Sequence, residues 1–161
     1  MAAPTDQVRT LYRTILVFDI VAILILVIGF GEFAFFERPG EATGIKAEIT
    51  GVYQYDPEHH MTIGPDRSTF ARTEVFAAVV DWSSLPSDLT VDARWYNAFG
   101  SIVGFVGPGK PAQLADNKVI PVLVPPGLHL NLPGRYMFVV ERFEGGLPVE
   151  VLGRRIVLVE R

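Results

Sequence analysis

The chain has 161 residues, of which 49% are hydrophobic and 20% are charged, and its formal net charge is −4. This length predicts one domain, and the absence of cysteine excludes disulfides, thiolate metal sites and cysteine nucleophiles. The three lysines and eleven arginines are scattered and form no basic stripe, so nucleic acid is not an expected partner.

An apolar segment near the N-terminus predicts a single transmembrane helix. Between Thr14 and Phe36 the only other polar side chains are Asp19 and Glu32, and an α-helix needs about 20 residues to cross the hydrocarbon core. Two arginines precede the segment and glutamates follow it, so the positive-inside rule places residues 1–13 in the cytoplasm. We therefore expect a single-pass protein of a bacterial cytoplasmic membrane, with most of the chain on the periplasmic side. A cleaved signal peptide is the alternative, although small residues before a cleavage site are missing.

One side of the predicted helix carries a charge and small residues. At about 100° per residue, five positions fall within an arc of roughly 80°: Asp19, Ala22, Leu26, Gly29 and Phe33. An ionisable group inside a span usually faces protein, and small residues let helices approach closely. We expect this stripe to be a helix-docking interface for other integral membrane subunits. The alternative is that Asp19 lies near the cytoplasmic water boundary.

Several phenylalanines lie at the outer end of the segment. At a membrane interface Trp and Tyr are the usual aromatic residues. Phe30, Phe35 and Phe36 either face lipid in the ordinary way or contact a pigment, a quinone or a lipid of a host complex. We expect the chain itself to ligate no cofactor.

Beyond residue 40 the chain consists of short β-rich runs separated by glycine and proline, which predicts an all-β immunoglobulin-like sandwich of seven or eight strands. We expect residues 37–73 to hold a linker and a first strand region, and residues 74–161 to form the sandwich. The predicted strands cover residues 44–55, 74–82, 90–96, 102–106, 118–124 and 135–143, and residues 149–152 and 155–160 form the last strand or the last two.

The run from Thr90 to Tyr96 alternates clearly. Val91, Ala93 and Trp95 are predicted to face a core, and the intervening Asp92, Arg94 and Tyr96 to face solvent or a partner. Further along, Glu141 and Glu144 flank a predicted β-turn, where solvated carboxylates are expected.

Residues 130–136, with the sequence LNLPGRY, resemble the turn and tyrosine corner that enter strand F of immunoglobulin-like and fibronectin-type-III-like domains. The segment from Tyr136 to Phe143 and the following Gly-Gly turn are similar to the F–G hairpin, and Trp95 resembles the core tryptophan of strand C. The resemblance covers about residues 74–161 and implies the fold but almost nothing about function. Without a cysteine pair, it points to the fibronectin-like or bacterial immunoglobulin-like branch.

His59, His60 and Met61 form the one cluster with metal-ligand chemistry, because imidazoles and thioethers suit copper. His129 and Met137 are the further side chains that a sandwich could bring to them. Adjacent histidines in a strand point to opposite faces, however, and a polar surface loop is the alternative. We therefore expect no metal site.

The sequence contains no phosphate-binding glycine loop, nucleophile elbow or HExxH motif, so no enzyme is expected. We expect a non-catalytic accessory subunit of a larger membrane complex, of the energy-transducing kind found in photosynthetic reaction centres or respiratory complexes. Its helix would dock among other spans and its β-domain would brace an extrinsic extracytoplasmic protein. The alternatives are an independent membrane-tethered envelope module that binds a ligand or partner, and copper handling through His59, His60 and Met61.

Overall fold

The computed structural model describes residues 6–30, 37–123 and 130–160. The chain divides into two compact units, with the boundary between Glu37 and Arg38. The first unit contains one helix, α1 (Asp6–Phe30), and the second contains all the strands described below.

Helix α1 exposes large apolar side chains around its whole circumference. Their exposed fractions lie between 46% and 75%, and they comprise Leu11, Tyr12, Ile15, Leu16, Val17, Phe18, Ile20, Val21, Ile23, Leu24 and Ile25. Among the residues whose side chains the structure describes, no helical stretch combines the length and the apolarity required to cross a membrane. The last six residues of the expected span, 31–36, lie outside the described part of the chain.

The second unit is a two-sheet β-sandwich, as the punctuated β-rich runs predicted. One sheet has the order β2-β1-β4-β7 and the other the order β3-β9-β8-β5-β6, and every pairing is antiparallel except that of β3 with β9. The strands are β1 (Glu48–Asp56), β2 (Met61–Ile63), β3 (Thr69–Phe70), β4 (Phe76–Asp81), β5 (Thr90–Tyr96), β6 (Ile102–Gly109), β7 (Val119–Pro121), β8 (Gly134–Glu144) and β9 (Leu147–Val159). A 3-10 turn (Trp82–Ser84) follows β4, and a short helix, α2 (Pro111–Leu114), precedes β7.

Aromatic rings fill the space between the sheets. Phe76 is fully buried and stacks on Phe70 with 4.6 Å between ring centroids. Its ring also lies edge-to-face with the rings of Trp95 and Tyr136, with 5.3 and 5.5 Å between ring centroids. Rings in these edge and stacked arrangements stabilise a core beyond the area that they bury, so Phe76 is the centre of the packing that joins the two sheets.

Residues 37–73 contribute β1, β2 and β3 to the two sheets. The predicted bounds of β5 agree with the structure, and β7 lies at a sheet edge, as its proline indicated. The C-terminal runs 149–152 and 155–160, predicted as one strand or two, form one continuous strand, β9. Within this strand Gly153 faces Ala47, whose backbone oxygen would lie 3.1 Å from a Cβ at that position. The glycine therefore permits a close approach between chain segments.

Candidate functional site

The outer face of β5 carries charged and polar side chains that are buried. Val91, Ala93 and Trp95 point into the core as predicted, so the alternate residues project from the other face of the five-stranded sheet. We expected that face to meet solvent or a partner. This expectation is wrong for Asp92 and Tyr96, whose exposed fractions are 1% and 5%.

Asp92 and Glu141 form a pair of carboxyl groups on neighbouring strands. The register of β5 and β8 places them directly opposite each other, and Glu141 is completely buried. The prediction that Glu141 is a solvated carboxylate beside a turn is therefore wrong, because β8 continues to Glu144 and the residue lies inside the ladder. We call Asp92, Arg94, Tyr96 and Glu141 the Asp92 cluster.

Arg94 is the cation of the Asp92 cluster. Its Nε donates to Oδ2 of Asp92 at 2.7 Å, and its Nη2 lies 2.6 Å from the same carboxylate oxygen in an ion pair. The Nε lies 3.9 Å from Oε2 of Glu141, and the guanidinium carbon lies 5.1 Å from the centroid of the Phe143 ring. The arginine side chain thus runs along the sheet face past both carboxyl groups and stacks on an aromatic ring, a contact that favours guanidinium.

Burial changes the acid–base properties of this cluster. Loss of hydration raises the pKa of Asp92 to about 6, although Arg94 and Glu141 act in the opposite direction. Burial also raises the pKa of Tyr96, and the negative charge of Glu141 adds to this effect. For Arg94, burial alone would lower the pKa, but the charge and hydrogen bond of Asp92, together with Glu141 and Tyr96, outweigh it and the net direction is upward. Asp92 therefore keeps its proton to a higher pH than an ordinary aspartate does.

The backbone of strand β6 passes close to Asp92 at Gly107. A Cβ atom at Gly107 would lie 2.8 Å from the Cβ of Asp92 and 2.9 Å from the backbone oxygen of Val91. Gly107 also has a φ of +99°, in the region that favours glycine. The backbone approaches Asp92 this closely because residue 107 has no side chain.

A third buried carboxylate, Glu150, has a structural role. Its Oε1 accepts from the backbone N–H and the hydroxyl of Thr43, both at 2.9 Å, and its Oε2 accepts from Nε of Arg142 at 3.0 Å. Burial raises the pKa of Glu150, but the hydrogen bonds from Thr43 and Arg142 outweigh this and the net direction is downward. Glu150 therefore ties the segment that precedes β1 to strand β9.

The structure does not bring the predicted copper ligands together. His59 Nδ1 lies 2.6 Å from a carboxylate oxygen of Asp56, and His60 Nδ1 lies 3.1 Å from the hydroxyl of Tyr55. Met61 is exposed. Within residues 6–30, 37–123 and 130–160, no group of three or more histidine, cysteine or acidic residues could hold a metal ion.

The two more distant copper candidates do not complete such a site either. His129 lies outside the described residues. Met137 is paired with Tyr96 across the five-stranded sheet and alternates with core residues, so it projects from the outer face of that sheet. The turn with the two histidines connects strands of the other sheet.

The helix-docking stripe remains a prediction. Asp19 is exposed and Ala22 is half-buried on α1. Leu26, Gly29 and Phe30 belong to α1, but their side chains are not among those described, and Phe33, Phe35 and Phe36 lie outside the described residues.

A pocket of about 300 Å³ lies between the 3-10 turn and α2. Trp82, Leu85 and Pro111 line it with apolar surface, while Asp81 and Lys118 place opposite charges on its wall. Hydrogen bonds from Ser83 lower the pKa of Asp81, with a smaller contribution from Lys118. The sequence did not predict this pocket because its walls come from two short helical turns in different loops. Its size suits one small apolar group.

No family model matches the chain, and no curated protein shows a significant match to it.

Proposed function

We propose that this chain is a non-catalytic accessory subunit of a larger membrane protein complex. Helix α1 would dock among other membrane helices, and the β-sandwich would contact an extrinsic protein on the outer side. The observation that carries this proposal is the apolar surface of α1, which has large exposed apolar side chains in every direction between Leu11 and Ile25 and is interrupted there by Arg13, Thr14 and Asp19.

A helix that is apolar all round is typical of one buried in a membrane or a large protein core. The apolar sequence continues from Thr14 to Phe36, which is enough for the roughly 20 residues of a span. The membrane assignment rests on this sequence, of which the structure describes side chains only as far as Ile25. The preceding arginines favour a cytoplasmic N-terminus and an outward-facing sandwich.

Asp19 supports docking of the helix against protein as well as lipid. Its carboxyl group lies on α1 among exposed apolar side chains, and such a group is costly when it faces lipid. Ala22 lies one turn further on the same side and would let a neighbouring helix approach closely. The two residues together favour a helical partner over a simple tether.

For the sandwich, we infer an immunoglobulin-like or fibronectin-type-III-like arrangement. Tyr136 is buried and forms a hydrogen bond with the backbone of Leu132, four residues upstream, which is the contact of a tyrosine corner. Trp95 is fully buried beside Phe138. The fold by itself assigns no function and no chemistry.

A pair of substitutions on α1 tests the proposal. Asp19→Leu changes the expected docking side, whereas Val21→Leu changes a position about 200° around the helix. The full-length tagged chain is extracted gently from its native membrane, and the quantity of co-purifying membrane subunits per chain is measured. We expect a several-fold loss for Asp19→Leu and wild-type recovery for Val21→Leu. Wild-type recovery for both variants would refute the docking interface.

A membrane-tethered module that binds a small ligand is the second candidate, and the pocket beside Trp82 favours it. In that case the helix serves only as an anchor. Replacement of α1 by an unrelated apolar span would then leave the cellular function intact, whereas the accessory-subunit proposal predicts that the replacement abolishes assembly.

Because energy-transducing complexes contain coloured cofactors, an absorption spectrum of the purified material would show whether the host complex is of that kind.

A further inference from the structure

We propose that the pocket beside Trp82 binds a free α-amino acid with an apolar side chain. This inference rests on the second candidate function, for which it names the ligand class, and it concerns the sandwich alone. The pocket volume of about 300 Å³ is at the lower end of the range for small-molecule sites, which indicates a small ligand. Its described wall carries one negative and one positive charge beside apolar surface, and this combination matches a zwitterion with an apolar side chain.

The strand pairing brings the two charges to the same end of the four-stranded sheet. Asp81 is the last residue of β4, and Lys118 immediately precedes β7. The backbone N–H of Val80 donates to the carbonyl oxygen of Lys118 at 2.9 Å, which places Lys118 beside the end of β4. Lys118 acts on Asp81 through its charge, without a hydrogen bond between the two side chains. Both charges of the wall are therefore available to a ligand that lies between them.

The carboxylate of Asp81 is held in one orientation. The backbone N–H and the hydroxyl of Ser83 both donate to its Oδ1, at 3.0 and 2.7 Å. These bonds lower the pKa of Asp81, so the group is ionised at neutral pH. Its Oδ2 makes no hydrogen bond within the part of the chain that the structure describes. A hydrogen bond from an ammonium group to such an oxygen is roughly twice as strong as one between neutral groups.

The apolar wall of the pocket is preformed. The Nε1 of Trp82 donates to the carbonyl oxygen of Asn117 at 3.0 Å, which fixes the indole against the loop before β7. The N–H of Leu85 donates to the carbonyl oxygen of Trp82 and closes the 3-10 turn. Pro111 begins α2, the other element beside the pocket, and its ring restricts the backbone there. An apolar ligand side chain would displace water from this surface without any rearrangement of the wall.

An apolar amino acid makes use of all three features together. Its ammonium group would donate to Oδ2 of Asp81, its carboxylate would pair with the ammonium group of Lys118, and its side chain would contact Trp82 and Leu85. A ligand with a single charge would leave one of the two wall charges without a partner. A ligand with both charges but no side chain would leave the apolar wall in contact with water.

Calorimetric titration of the full-length chain in detergent micelles tests the ligand class. L-leucine and L-phenylalanine are titrated to about 10 mM at pH 7, with protein-free micelles as the background. We expect one saturable site per chain. Glycine lacks the apolar side chain, N-acetyl-leucine lacks the ammonium group and leucinamide lacks the carboxylate, so each should bind about tenfold more weakly than leucine, or worse. No binding of either amino acid, or an analogue that binds as tightly as leucine, would overturn the proposal.

Two substitutions test the assigned charges. Asp81→Asn keeps an acceptor for Ser83 but removes the negative charge, and Lys118→Gln removes the positive charge. Each should weaken leucine binding by about tenfold or more. Asp56→Asn, at the opposite end of the same sheet, and Lys46→Gln, at an exposed position outside the described pocket wall, are the controls and should bind leucine like wild type.

Wild-type affinity for leucine in a folded Asp81→Asn or Lys118→Gln variant would overturn the proposal. If either variant fails to fold, the analogue series on the wild-type chain decides. The titrations involve no membrane partner, so their failure is distinguishable from a failure of α1 to dock, which co-purification measures separately.

Discussion

Replacing Asp92 with asparagine should change how the stability of the sandwich depends on pH. The folded chain raises the pKa of Asp92 from 3.8 to about 6 because the carboxyl group is buried. The folded state therefore binds this proton more tightly than the unfolded state does. The resulting stabilisation is fully present below pH 3.8, decreases as the pH rises, and is lost above about pH 6. Asparagine is uncharged throughout and has no such dependence.

The size of the effect follows from the shift. A change from 3.8 to about 6 is about two units, and each unit corresponds to about 1.4 kcal/mol. The upper bound is thus about 3 kcal/mol, and we expect a measured change of about 1 to 3 kcal/mol between pH 4 and pH 7. Loss of the Arg94 contact lowers the stability of Asp92→Asn at both pH values, so the informative quantity is the change in the wild-type-to-variant difference.

Urea unfolding followed by tryptophan fluorescence measures this quantity. The chain has two tryptophans, Trp82 and Trp95, and both are buried in the sandwich. Relative to wild type, Asp92→Asn should become more stable as the pH rises from 4 to 7, whereas Asp88→Asn, at an exposed position, should show a constant difference. A difference between wild type and Asp92→Asn that stays constant over this range would refute the reasoning.

Three further substitutions test contacts of the sandwich, each by the free energy of unfolding. Glu150→Gln removes a buried charge that binds Thr43 and Arg142. We expect the free energy of unfolding to fall by about 3 kcal/mol and hydrogen exchange at the Thr43 amide to become faster. An unchanged exchange rate at Thr43 would contradict the anchoring role of Glu150. Gly107→Ala places a Cβ atom 2.8 Å from the Cβ of Asp92 and should lower the free energy of unfolding by about 1 to 3 kcal/mol. Gly64→Ala is the control, because φ is also positive there but no atom lies within 4 Å, and its loss of stability should be smaller. Equal losses for the two variants would mean that crowding against Asp92 is unimportant. Tyr136→Phe keeps the aromatic ring but removes the hydroxyl, so we expect the free energy of unfolding to fall by about 1 kcal/mol. An unchanged free energy would show that the hydrogen bond to the Leu132 backbone is not stabilising.

The sandwich was predictable because its signals are local. In β5 the alternation of Val91, Ala93 and Trp95 specifies both the strand and its buried face, and the proline of β7 correctly indicates an edge. The close approach of Ala47 to Gly153 was not predictable, because a glycine inside a strand marks either a bulge or a close approach and Ala47 is distant in sequence.

The Asp92 cluster was not predictable from the sequence. Alternation showed correctly that Asp92, Arg94 and Tyr96 share the face opposite the core, but it does not indicate whether that face is covered. The position of Glu141 opposite Asp92 depends on the register of two strands that are far apart in the chain. Burial of the two carboxyl groups also depends on the path of the Arg94 side chain toward the Phe143 ring and on the close approach of the Gly107 backbone to Asp92. Neither feature follows from a local sequence pattern.

The central claim is that this chain is an accessory subunit of a membrane complex, and purification from the native membrane tests it most directly. The full-length chain with a terminal tag is extracted in mild detergent, and its partners are identified by mass spectrometry together with an absorption spectrum. The claim predicts co-purification of integral membrane subunits at a fixed stoichiometry, and haem or pigment absorption if the complex is energy-transducing. Recovery of the chain alone, monomeric and without partners, would contradict the claim and favour a tethered binding module.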